Sequence, residues 1–137
     1  MKKIIALASL LSTAFLVQAQ TPDYRVVFDM TSKDSTNQQA LVRQMALISK
    51  SNADAKLEAV IYGQGLDIVL KGKTAQEPAL AQLMANKNVT FKVCEATMKR
   101  NNIDRSQLIP GVEVVPDGIY EIITKQKEGW GYIKVAH

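Results

Sequence analysis

The chain has 137 residues, 17 Lys and Arg against 13 Asp and Glu, one His and one Cys. One cysteine excludes an intramolecular disulfide framework, and one histidine leaves no second imidazole or thiol to build a zinc site. The small basic excess comes without a clustered basic face or interleaved aromatics, so it gives no argument for nucleic acid.

The first residues form a separate unit. Met1-Lys2-Lys3 is cationic, Ile4 to Val17 is apolar apart from Ser9, Ser12 and Thr13, and Val17-Gln18-Ala19 has the small residues of a cleavage site. This is the pattern of a secretory signal peptide over residues 1–19, and the run is short for a bilayer span. Export to a periplasm or the exterior is expected, with 20–137 as one domain and no membrane segment after cleavage.

Tyr24 to Met30 reads as a strand whose nearly continuous apolar residues suit burial on both faces. Ser35 with Gln38 matches a capping box, and Leu41, Met45 and Ile48 recur at helical spacing to about Lys50. Leu57 to Tyr62 is a second strand, followed directly by Gly63-Gln64-Gly65. Leu66 to Leu70 is apolar, a short helix or a wall. A helix runs from about Pro78 to Asn86, with Leu80, Leu83 and Met84 as its buried stripe.

Val89, Phe91 and Val93 alternate with Thr90 and Lys92 in a third strand, and Glu95 to Arg100 then favours helix. Asp104 to Gln107 matches a second capping box. Val112 to Val115 is a fourth strand. Asp117 is placed to cap a helix whose apolar stripe is Ile119, Ile122 and Ile123 and which ends near Gly129. Trp130 to Val135 is the fifth strand. This alternation predicts an α/β fold, a three-layer α/β/α sandwich with a five-stranded, mainly parallel sheet and right-handed crossovers.

Cys94 stands where the third strand becomes a helix. Chemistry in open parallel sheets gathers at the carboxyl ends of strands, and a helix N-terminus favours a thiolate. Cys94 is therefore the candidate catalytic residue. The other reading is a packed structural cysteine, since free Cys is among the most buried residue types. An unpaired thiol in an exported chain is also open to partners or oxidants, so a redox sensor stands as a third reading.

Other candidates carry less. Gly63-Gln64-Gly65 after a strand invites a dinucleotide reading, but position 68 is Ile where the motif needs a third glycine, so no cofactor is assigned. His137 reads as a solvated terminus. Asp29 and Glu95 are the carboxylates nearest the presumed active edge. Glu95 complements the helix N-terminus, yet a carboxylate beside a thiol opposes thiolate formation unless Lys99 or Arg100 reaches back.

Val93-Cys94-Glu95-Ala96-Thr97-Met98-Lys99, then Leu108-Ile109-Pro110-Gly111-Val112, together with Tyr62 to Gly65 and Gly118 to Ile133, resemble the DsrE/DsrF-like family of sulfur-relay proteins. The resemblance covers nearly all of Tyr24 to Lys134. It implies a five-stranded parallel sheet between helices and homo-oligomers, trimers or hexamers. It also implies that a cysteine at the position of Cys94 accepts sulfane sulfur as a persulfide and exchanges it with a donor or acceptor protein. The characterised relay members are cytoplasmic, so the export signal sets this chain apart.

Overall fold

The computed structural model describes residues 23–135. The expected signal peptide and His137 lie outside them. In chain order the elements are β1 (Arg25–Met30), α1 (Ser35–Ser51), β2 (Lys56–Ile61), a 3-10 segment (Gly63–Val69), α2 (Glu77–Met84), β3 (Val89–Cys94), α3 (Glu95–Arg100), a 3-10 turn (Arg105–Gln107), β4 (Glu113–Val115), α4 (Gly118–Lys127) and β5 (Gly131–Val135). All four strand pairings are parallel, in the order β4-β3-β2-β1-β5. The predicted α/β sandwich is the observed fold.

The two faces of the sheet are built differently. Phe28, Met30, Leu57, Ala59, Ile61, Phe91 and Val93 pack with Leu41, Met45, Leu80 and Met98 in one large core. The opposite face has a small cluster of Val27, Val60 and Ile122, with Tyr62 and Trp130 against it. Topology accounts for the split. The path β1-β2-β3-β4 steps one way across the sheet, so right-handed crossovers put α1, α2 and α3 on one side. The return from β4 to β5 reverses direction and puts α4 alone on the other.

Of three helix caps, one differs from the sequence reading and two match it. The N-cap of α1 is Asp34, whose carboxylate accepts from the Thr36 N–H at 2.7 Å, rather than Ser35, the first helical residue. Asp has a stronger acceptor than Ser and wins the position. Asp104 and Gln107 close the predicted capping box, and Asp117 accepts from the Ile119 and Tyr120 N–H groups at 2.8 and 3.1 Å.

The stripe expected on α4 is corrected. Only Ile122 is buried, whereas Ile119 and Ile123 are exposed. Glu121 and Lys125 are the residues turned toward the sheet, where Glu58 and Lys92 meet them. The isoleucine spacing was helical, but charge pairing set the rotation of the helix.

Gly63-Gln64-Gly65 is a structural turn. A Cβ at Gly65 would lie 2.8 Å from the Met30 carbonyl oxygen, and Gly63 has φ +58°. Replacing Gly65 with Ala forces backbone against backbone where nothing flexible can yield, and should cost about 2 kcal/mol. The urea midpoint of Gly65→Ala, read at constant slope, checks this.

Candidate functional site

Cys94 ends β3 and is the N-cap residue of α3, with extended backbone at φ −71° and ψ 118°. It is buried, with 5% of its surface exposed. Its neighbours are polar as well as apolar. Gly118, the first residue of α4, comes so close that an added Cβ would sit 3.3 Å from Cys94 Cβ, 3.2 Å from Val60 Cγ1 and 3.4 Å from Tyr62 Cδ1. The starts of two helices therefore converge on one sulfur.

Burial is the largest influence on the Cys94 thiol and raises it. The backbone N–H groups of Gly118 and Thr97, the Thr97 hydroxyl and the Ala96 N–H act the other way, and together they bring the thiol below its ordinary value. Several weak N–H and O–H donors together, with the positive dipole of two helix starts, outweigh desolvation here. The sulfur is thus buried like a structural cysteine, yet its thiol lies below its ordinary value.

Glu95 does not oppose this as its position suggested. Its carboxylate is turned outward and paired with Lys99 Nζ at 3.3 Å and Arg105 at 3.6 Å. Arg100 does reach back, placing Nη2 3.4 Å from Thr97 Oγ1.

Asp29 enters the site by another route. It is buried at the end of β1, accepting from the Tyr132 hydroxyl at 2.5 Å and from Lys134 Nζ at 3.1 Å. Lys134 also donates to Thr31 Oγ1 at 2.8 Å and lies 5.8 Å from the centre of the Tyr62 ring. Tyr62, just past β2, bridges this group and the cysteine. Its phenol is pushed well up by burial, by Asp29 and Tyr132, and by Cys94 itself. The Asp29 bond and then burial raise the Tyr132 phenol to about 12. Both phenols stay protonated and remain hydrogen-bond donors at neutral pH.

Sequence reading missed Tyr62, Thr97, Tyr132, Lys134 and Gly118. Tyr62 and Thr97 could have been found as polar groups within three residues of a strand's carboxyl end. Tyr132 and Lys134 could not, because only the pairing of β5 beside β1 in this register brings them to Asp29. Asn88, in a glycosylation-like Asn-Val-Thr, donates to the Ala53 carbonyl at 3.2 Å.

The helix that delivers Gly118 is held mainly by charge. Lys92 Nζ lies 3.1 Å from Glu58 and 2.7 Å from Glu121, and Lys125 lies 3.6 Å from Glu58 and 3.8 Å from Glu121. Glu58 is buried, and its Oε1 has no hydrogen-bond partner.

An α/β sheet with a polarised thiol at its carboxyl rim defines a class of small cysteine proteins. Residues 25–135 match the DsrE/DsrF-like family, and the chain belongs to it. Membership suggests sulfur relay at the level of the family. The fold is similar to that of a protein of unknown function, MTH1491 from Methanobacterium thermoautotrophicum, with TM-score 0.76 and 28% identity over 82% of this chain and 99% of that one. It is also similar to the ychN protein from E. coli, with TM-score 0.68 and 15% identity over 82% and 98% of the two chains. A protein of unknown function from Bacteroides thetaiotaomicron, BT1422, gives 0.64 and 15% over 81% and 94%. No curated protein matches the chain.

Glu58 yields a pH prediction. Burial first, then the neighbouring Glu121 carboxyl, raise its carboxyl from 4.5 to about 7, against the pull of Lys92 and Lys125. An acid raised by folding lends stability below its unfolded value and loses it as pH climbs through the folded one. Stability should therefore fall between about pH 4.5 and 7 on this account. Glu121, held low by Glu58 and Lys92 despite its burial, acts only below 4.5. Glu58→Gln should flatten the slope of unfolding free energy across that window, measured by urea titration at stepped pH.

Proposed function

We propose that this chain is an exported, homo-oligomeric sulfur carrier in which Cys94 accepts sulfane sulfur as a persulfide and passes it to a partner. The observation that carries the reading is the place of the cysteine, at the sheet's carboxyl rim where α3 begins and with Gly118 at the start of α4 against it. The lowered thiol supports it. The family match supports the chemistry, and the apolar run after Met1-Lys2-Lys3 supports export.

The step balances without an oxidant. The Cys94 thiolate attacks the outer sulfur of a donor persulfide or polysulfide. One S–S bond forms on Cys94, one S–S bond in the donor breaks, and the electron pair leaves on the donor's thiolate. The donors that favour the Cys94 thiolate favour the terminal persulfide anion as well. The sulfur becomes reachable when the first turn of α4 lifts, which is consistent with a helix that buries one isoleucine and otherwise rests on ion pairs.

Burial of Cys94 favours one second reading, a binding or assembly module in which the cysteine only packs. Treating the protein with polysulfide and weighing it separates the two. The carrier gains one sulfur atom, removable by a thiol reductant and absent from Cys94→Ser. The module gains nothing unless unfolded.

Oligomer formation is part of the proposal. Ile119, Tyr120 and Ile123 on α4 are exposed, Tyr120 by 70%, and Tyr132 on the edge strand β5 is exposed on the same side of the sheet. Such surface rarely stays bare in water. Light scattering should give a trimer or hexamer for the wild-type domain, and Tyr120→Asp with Ile123→Asp should shift it to monomer with the circular dichroism unchanged.

A further inference from the structure

Lys134 stands on the edge strand and reaches inward along the carboxyl rim of the sheet. Strand β5 is three places from β3, a span of roughly 14 Å at the usual strand spacing. Lys134 pairs with Asp29, and Thr31, Tyr62 and Cys94 follow directly on the paired residues Met30, Ile61 and Val93, so these three form one row. Alternation along the strands puts that row on the α4 face, where Val27, Val60 and Tyr62 lie. The Lys134 ammonium sits at the row. It donates to Thr31 Oγ1 at 2.8 Å and to Asp29 Oδ1 at 3.1 Å, and stands 5.8 Å from the centre of the Tyr62 ring. Tyr62 Cδ1 and Cys94 Cβ in turn both lie within 3.4 Å of the place a Cβ would take at Gly118. One aromatic ring separates the cation from the cysteine.

The charge of the Asp29–Lys134 pair points outward. The Asp29 side chain is 7% exposed and its other oxygen accepts from Tyr132, whereas 41% of the Lys134 side chain is open to water. An ammonium has three hydrogens, and Asp29 and Thr31 take two. Asp29 accounts for neutralisation; the Thr31 bond turns the ammonium along the row. Lys134 belongs to the sheet, so it keeps its place when the first turn of α4 lifts.

Sulfur transfer from an inorganic polysulfide brings two anions together. The Cys94 thiolate takes the terminal sulfur, an S–S bond forms on Cys94, the next S–S bond of the donor breaks, and its electron pair leaves on the shortened polysulfide. A cation beside the meeting point offsets the repulsion. Resting on the reading of Cys94 as sulfur acceptor, we propose that Lys134 is the substrate-binding residue of that site: its free N–H and its charge hold the negative end of a small anionic sulfane-sulfur donor, of the inorganic polysulfide class, beside the cysteine.

The test compares native-state alkylation of Cys94 by iodoacetate, an anion, and by iodoacetamide, its neutral counterpart, as the ratio of the two rates. Both reagents need the same thiolate and the same opening of α4, so the ratio reads the charge at the rim. Lys134→Gln should lower it roughly three- to tenfold at low salt, and the gap should close toward 1 M salt, where the screening length is about 3 Å. Lys134→Arg should keep the wild-type ratio. In polysulfide loading, Lys134→Gln should raise the half-saturating concentration by a similar factor and change the saturated rate little. If Lys134 serves only to neutralise Asp29, both alkylation rates move together and the ratio stays at the wild-type value, which overturns the inference. Lys134→Gln leaves a buried carboxylate unpaired. Should it fail to fold by circular dichroism, Asp29→Asn with Lys134→Gln decides, an unchanged ratio again overturning. A lowered ratio with no sulfur taken up by any protein, wild type included, keeps Lys134 as an anion site and removes the sulfur reading instead.

Discussion

A side chain at position 118 would meet Val60, Cys94 and Tyr62 at 3.2 to 3.4 Å, so glycine is what lets α4 begin directly against the cysteine. The rest of the site depends on that closeness. It buries the thiol, which alone would favour the neutral form. It also brings the Gly118 backbone N–H to the sulfur, which acts against that effect. Desolvation and stabilisation come from the same contact and cannot be separated by moving the helix. A helix start further away would expose the sulfur and lose a donor together.

That coupling gives meaning to how α4 is attached. The α1 face of the sheet is an ordinary apolar core. The α4 face has three apolar side chains in its cluster and a chain of charges, Glu58, Lys92, Glu121 and Lys125. Ion pairs in a partly dry place are weak in net terms because desolvation offsets attraction, but they are directional. They fix the rotation of the helix and so the aim of Gly118, at less cost to undocking than a full apolar interface would impose. The apolar residues that would otherwise have faced the sheet, Ile119 and Ile123, are left outward.

The sequence showed the fold almost completely because each element carried its own signal: period-two strands, helical spacing in α1, and capping residues at Asp104 and Asp117. It misled at α4, where isoleucine spacing spoke for one rotation and buried charge pairs chose another. No local pattern reports that choice, since Glu58 and Lys92 lie on strands far along the chain. The site was legible in part. Cys94 was found from the strand-to-helix change, and Asp29 from its place at the end of β1. Tyr132 and Lys134 could be read only after β5 was known to lie beside β1, since they stand 103 and 105 residues from Asp29.

The Asp29 group shows why the cysteine thiol can stay below its ordinary value. A buried carboxylate near a thiol would ordinarily push the thiol up. Here the carboxylate is neutralised where it stands, by Lys134 at 3.1 Å and by the Tyr132 hydroxyl at 2.5 Å. The reversal in strand order puts β5 beside β1 and so delivers both partners. Tyr62 then stands near Asp29 and Cys94 as a neutral phenol whose ionisation is opposed by burial first and by both neighbours after it. The carboxylate and the thiol share one rim because each has its own surroundings, Tyr132 and Lys134 for the carboxylate, Gly118, Thr97 and Ala96 for the sulfur.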